Sequence, residues 1–266
     1  TLRASIDQAQ LKEVDQEMWD AVEAGDLKAV QAAYAKGAHL DLFFEGDDEE
    51  HVLMPFDEYI EKADFNGDNV YDFGSGSEPD DMRVGKTCLM HAAQKGNLQI
   101  MNWQVDMGCD VNAAQPEEYE RGDGYTFGGM TALAFASSLE VVALLLALGA
   151  KADGSYTPPQ YEDNLNDHSI LSACTCRYPV SPDLDAIQRA LVRHGANVNL
   201  AEYPCYYGGQ GEQLLDLKLG GAPTVYWPKV VASSDVEWAR ELLTTNGADP
   251  NWPRSIDSQG TEVVPQ

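Results

Sequence analysis

Basic residues are what this chain has least of: 17 lysines and arginines stand against 44 aspartates and glutamates, a formal charge of −27 over 266 residues. A surface of that sign repels phosphate backbones, which argues against nucleic-acid binding and against docking on anionic lipid. Long apolar runs are missing too. The longest, residues 141–150, is broken only by Gly149 and falls well short of the roughly 20 residues that span a bilayer. Cysteines number five, an odd count with no C-x-x-C spacing. That is no disulfide framework, and it points to a reducing compartment, the cytoplasm or an organelle after removal of a transit peptide. The sequence starts at Thr1 rather than methionine, so the expectation is a processed or truncated chain whose targeting segment has gone.

Catalytic signatures are equally scarce. There is no G-x-S-x-G elbow, no P-loop, no G-x-G-x-x-G after a strand and no H-E-x-x-H. Paired glycines at 128–129, 208–209 and 220–221 fall in connections, where turn chemistry accounts for them. Cys174, Cys176 and His168 are too few for a structural metal site and read as packing. The expectation is a non-enzyme.

What the chain does have is a repeat. A glycine, a small residue and a closing Asp or Asn recur at 37–41, 108–112, 149–153, 195–199 and 247–251. Each follows an amphipathic stretch, and glycine after a helical pattern is the favoured left-handed cap because it has no Cβ. Leu184, Ile187, Leu191 and Val192 fall on one face of such a helix. One helix pair cannot bury its apolar face alone, whereas stacked neighbours can. Ala92, Ala93, Ala134 and Ala136 suit close approach between helices. Glu13, Asp15, Glu17, Asp20 and Glu23 beside Trp19 and Val22 read as a solvent-facing cap at the first turn of the stack.

Residues 85–98, Gly-Lys-Thr-Cys-Leu-Met-His-Ala-Ala-Gln-Lys-Gly-Asn-Leu, resemble the ankyrin repeat, with Cys88 where the family has proline and His91 displaced by one place. Thr87 stands 21 residues before Gly108, the family spacing, and Gly25 stands 12 before Gly37. The resemblance implies an all-α solenoid of about five stacked helix pairs with long finger-loop insertions. It divides the chain into a capping repeat over 1–41, an acidic insertion over 42–84, repeats over 85–251 and a tail, or the start of a further repeat, over 252–266. It also implies a structural role for His91.

The spacing departs from the family's period of about 33 residues. Successive unit glycines are 71, 41, 46 and 52 residues apart, and the surplus lies mostly in the connections. The third unit is instead short: Thr131 to Gly149 is only 18 residues. Tyr125 and Phe127, Tyr161, and Tyr206 and Tyr207 fall in successive connections. Tyrosine offers large contact area at low entropy cost. The expected partner surface is therefore Tyr125, Phe127, Tyr161, Tyr206 and Tyr207 with Gln94 and Lys95 on the adjoining helix. The competing reading has these rings sealing over-long loops.

The insertion holds fourteen acidic residues and two basic ones, Lys62 and Arg83. Residues 64–72 resemble the first nine positions of an EF-hand loop, which implies Asp64, Asn66, Asp68 and Asp72 as Ca²⁺ ligands with the Val70 carbonyl. Asn69 stands where that loop has glycine and Ser75 where it has its bidentate glutamate. The functional expectation is a non-catalytic protein-binding scaffold, or an accessory subunit of a larger assembly, whose partner presents a basic patch to the acidic arm. The alternative is a Ca²⁺-responsive regulatory module attached to, or cut from, a larger enzyme. No other cofactor is expected.

Overall fold

Helix starts and stops follow from single residues. The Asp7 carboxylate accepts from the Gln10 amide at 2.9 Å and starts α1 (Gln8–Ala24). Asp26 accepts from the Lys28 and Ala29 amides and starts α2 (Leu27–Lys36). Thr87 accepts from the Met90 amide at the head of α3 (Cys88–Lys95), and Ser138 from the Val141 amide at the head of α5 (Leu139–Ala147). Between them lies α4 (Leu98–Asp106). The computed structural model describes residues 2–45, 52–56, 86–115, 118–119, 126–127, 129–156, 168–171, 183–198, 241–242 and 244–246. Within these, Gly37, Gly108, Gly149 and Gly195 all take positive φ, from +95° to +110°, as the repeated glycine requires. The chain divides into two compact units, Thr1–Ala150 and Lys151–Gln266.

In the first unit α1 packs on α2 and on α3, and α3 packs on α4. Helix α4 also touches α2 on one side and α5 on the other. First helices therefore form one layer and second helices another. Met18, Val22, Leu89, Met90, Ala92 and Ala93 are buried in the first layer, and Val30, Ile100, Met101, Val142 and Leu145 in the second. Each large apolar side chain so buried contributes about 1.5–3 kcal/mol. Ala134 and Ala136 are buried as well.

Polar side chains stitch the first layer. Asn97 Nδ2 donates to the Val22 carbonyl at 2.8 Å, and Ser137 Oγ donates to the Ala93 carbonyl at 3.1 Å. Val22 and Ala93 each lie three residues before the glycine that ends their helix, and each carbonyl already accepts from that glycine's amide, at 3.1 and 3.2 Å. The following segment adds a second donor both times.

The shortage in the third segment lies wholly in its first helix. From the second-helix cap to the closing glycine is eleven residues in each case: Asp26 to Gly37, Asn97 to Gly108 and Ser138 to Gly149. Before that cap, Thr131 opens only a run of tight turns. The amides of Ala134, Phe135 and Ala136 bond back three residues, to Thr131, Ala132 and Leu133. Leu133 and Phe135 nonetheless remain fully buried.

The connections carry strands, which amends the all-α expectation to an α-rich fold with short hairpins. Strands β1 (Leu42–Glu45) and β2 (Val52–Pro55) pair antiparallel, Leu42 opposite Pro55, and β3 (Lys86–Thr87) adds on the other side of β1 in the order β2-β1-β3. Leu42 and Phe43 are buried, so the segment 42–84 starts from the core. A second hairpin joins β4 (Glu118–Tyr119) to β5 (Thr126–Phe127).

One acidic residue expected at the surface is not there. Asp15 is 3 % exposed and forms a two-pronged ion pair with Arg3, at 2.7 and 2.8 Å. Its Oδ1 also accepts from the His39 amide at 2.9 Å, and Arg3 reaches the Gly37 carbonyl. The carboxylate therefore fastens a 3₁₀ turn at Leu2–Ser5 over the first helix pair.

In the second unit, β6 (Ser155–Tyr156) pairs with β7 (His168–Ser169), followed by buried Ile170 and Leu171. Helix α6 (Leu184–Arg193) buries Ile187, Leu191 and Val192, the face its spacing indicated, with Leu184 half-buried. Arg189 pairs with Glu241 at 3.4 Å beside buried Leu242.

Candidate functional site

Helix α3 is nearly all interior. Its first six residues, Cys88 to Ala93, are buried, and only Gln94 and Lys95 face water before Gly96 ends it at φ +76°. Gln94 Oε1 accepts from Lys86 Nζ at 3.0 Å, and Lys95 Nζ lies 3.5 Å from Glu23 Oε1. Two lysines thus flank the exposed turn. The Lys86 ammonium also stands 5.6 Å from the centre of the Phe135 ring, a cation–π distance.

Behind that turn lies an aromatic stack that ties three elements together. Trp19 of α1 packs against Phe44 of β1 and against the His91 ring of α3, each with centroids 4.7 Å apart and planes within 26°. His91 is 9 % exposed and its Nε2 has no hydrogen-bond partner. Burial, then the charges of Lys86 and Lys95, push its pKa down to about 4, against a smaller opposing pull from Glu23. The ring is neutral at physiological pH and serves as a packing element, which agrees with the structural role that the resemblance implied. A base that weak is a poor candidate for general-base catalysis at physiological pH.

Neither described free thiol invites chemistry. Cys88 and Cys109 are buried, and burial, reinforced by the Asp41 charge, pushes both thiols well above the ordinary range, away from the reactive thiolate. Among the described residues, no group of three or more His, Cys, Asp or Glu comes together as a metal site.

Of the residues expected at a partner surface, Gln94 and Lys95 are adjacent and exposed, and Phe127 belongs to strand β5. Tyr125, Tyr161, Tyr206 and Tyr207 lie outside the described residues, as do the candidate Ca²⁺ ligands Asp64, Asn66, Asp68 and Asp72. Sequence reasoning passed over Lys86 and Phe44, which complete the setting of the exposed turn. The signal for Lys86 was its position beside the helix-capping Thr87, where its long side chain reaches the helix it precedes.

Among the described residues no helix is long and apolar enough to cross a membrane. The family model described as Ankyrin repeat matches residues 84–115, which span β3, α3 and α4. Such repeats generally mediate protein–protein interaction and are typically non-catalytic. Comparison with curated proteins gives no match.

Proposed function

We propose that this chain is a non-catalytic protein-binding scaffold, a solenoid of about five ankyrin-like helix pairs held as an accessory subunit in a larger assembly. The partner meets the first-helix layer at Gln94 and Lys95 together with the finger connections that carry Tyr125, Phe127, Tyr161, Tyr206 and Tyr207. One observation supports this above the others: α3 buries six of its eight residues and presents only its last polar turn, flanked by two lysines, inside the segment that matches the repeat family. Affinity capture followed by mass spectrometry tests the reading. A Gln94→Ala, Lys95→Glu variant should lose the captured partner while keeping the wild-type melting temperature, because both side chains are exposed. Retained capture at an unchanged melting temperature overturns the reading.

The acidic segment 42–84 adds a docking arm for a basic patch on that partner. Fourteen acids against two bases make such an encounter salt-sensitive, since exposed charges are screened beyond about 8 Å at physiological ionic strength. Calcium titration by calorimetry separates this from the regulatory alternative. The docking arm gives no saturable heat. A saturable heat that disappears in Asp64→Ala, Asp68→Ala would establish a calcium site instead.

A further inference from the structure

The second-helix layer of the first unit carries an apolar groove to which no first helix and no connection contributes. Leu27 of α2, Leu98 and Trp103 of α4 and Leu144 of α5 line it, with Asn102 and Asp106 at its polar side, around a volume of about 500 Å³. That volume falls within the range of ligand clefts. Trp103 is half-buried and meets Tyr34 edge-on, centroids 5.6 Å apart and planes at 81°, while Tyr34 itself is 37 % exposed. Helix α5 extends the apolar character. Its nine residues hold one charge, the exposed Glu140, and its other two exposed positions, Ala143 and Ala147, are apolar. A helix with so little polar surface is ordinarily covered.

The polar side of the groove indicates what covers it. Asn102 Nδ2 donates to Asp106 Oδ2 at 3.0 Å, which orients the carboxylate and leaves it further acceptor positions. Asp106 is the single formal charge among the lining residues, and it is negative. We propose that this groove is a docking surface for a basic amphipathic helix of a partner protein, with its apolar side chains on Leu98, Trp103 and Leu144 and a lysine or arginine paired with Asp106. Charge complementarity operates on two scales: locally at Asp106, and across the chain, whose net −27 draws a basic partner and repels both an acidic helix and a second copy of itself. The surface shares no residue with the one proposed above, so either can fail alone.

The test uses the full chain and a fluorescently labelled, amidated Leu/Lys peptide of about 14 residues, roughly 21 Å long as a helix, with leucines at i, i+3, i+4 and i+7. A scrambled peptide of the same composition controls for charge alone. In fluorescence anisotropy the patterned peptide should bind about tenfold or more tightly than the scramble, a difference near 1.4 kcal/mol. Asp106→Lys, at an exposed position, should weaken it by about tenfold, and Trp103→Ala by a similar or larger factor. Should Trp103→Ala unfold, Asp106→Lys together with Leu144→Ala carries the same comparison. Equal affinity for both peptides overturns the proposal, as does indifference to Asp106→Lys. Concentration-dependent dimers in sedimentation that Leu144→Glu dissolves would assign the groove to a second copy and overturn it too.

Discussion

Helix α3 and the turns at 131–136 occupy equivalent places in successive segments, yet one is a complete eight-residue helix and the other only a run of tight turns. Thr87 and Thr131 open them, and four residues later stand His91 and Phe135, both buried rings. The shorter version omits about one helical turn, and what it omits corresponds to the exposed end that carries Gln94 and Lys95. The difference teaches that the buried part of a first helix holds the stack together, while its exposed end can be deleted. The three second helices of the first unit show no such latitude, because cap and closing glycine stay eleven residues apart.

If side chains rather than helical backbone secure the shorter version, Phe135→Ala should be the most damaging change, costing about 3–5 kcal/mol in denaturant unfolding. Leu89→Ala in the complete helix should cost about 2–5 kcal/mol, toward the lower end, because α3 keeps its own backbone hydrogen bonds. A Leu89→Ala cost well above that of Phe135→Ala would break the comparison.

The next effect in size concerns the side chains that reach back. Asn97→Ala and Ser137→Ala each remove the second, side-chain donor to a helix-end carbonyl and should each cost about 1 kcal/mol. Asn97 is the less exposed of the two and should sit at the upper end. Similar losses in thermal unfolding support an equivalent device at both joints. No loss in either would mean that water replaces the donors.

The last effect is one of pH. Folded His91 is held near pKa 4, while an unfolded histidine titrates near 6.5. The unfolded chain therefore takes the proton first on acidification. The stability this group contributes is whole above about pH 6.5 and is lost as pH falls toward 4. His91→Phe places the third segment's residue in the second and keeps a ring against Trp19. It should flatten the melting-temperature profile between those pH values relative to wild type. Superimposable profiles would show that the two buried rings are not set apart by protonation.

Much of this was legible in the amino-acid order, and for identifiable reasons. Glycine at a helix end announces itself because left-handed backbone disfavours every side chain, so four of the five unit ends lie where the pattern put them and the fifth falls outside the described residues. The three-residue shortage could be counted but not located, since a count carries no record of which helix gave up the turn. The burial of Asp15 was invisible because it depends on Arg3, a residue outside the helix whose periodicity was being read. Two-residue strands are too short to show any alternation. At the candidate site, Gln94 and Lys95 stood out as the polar end of an apolar helix. The stack of His91 on Trp19 did not, because it joins helices far apart in the chain.

The stitches from Asn97 to Val22 and from Ser137 to Ala93 run in one direction, each donor belonging to the segment made later. A first helix emerging from the ribosome closes its own end through its capping glycine, and gains the side-chain donor only when its successor arrives. At these joints the growing chain gains its ties between segments in arrears, one segment behind synthesis, so a break in translation leaves the most recent first helix capped but not yet fastened to a neighbour.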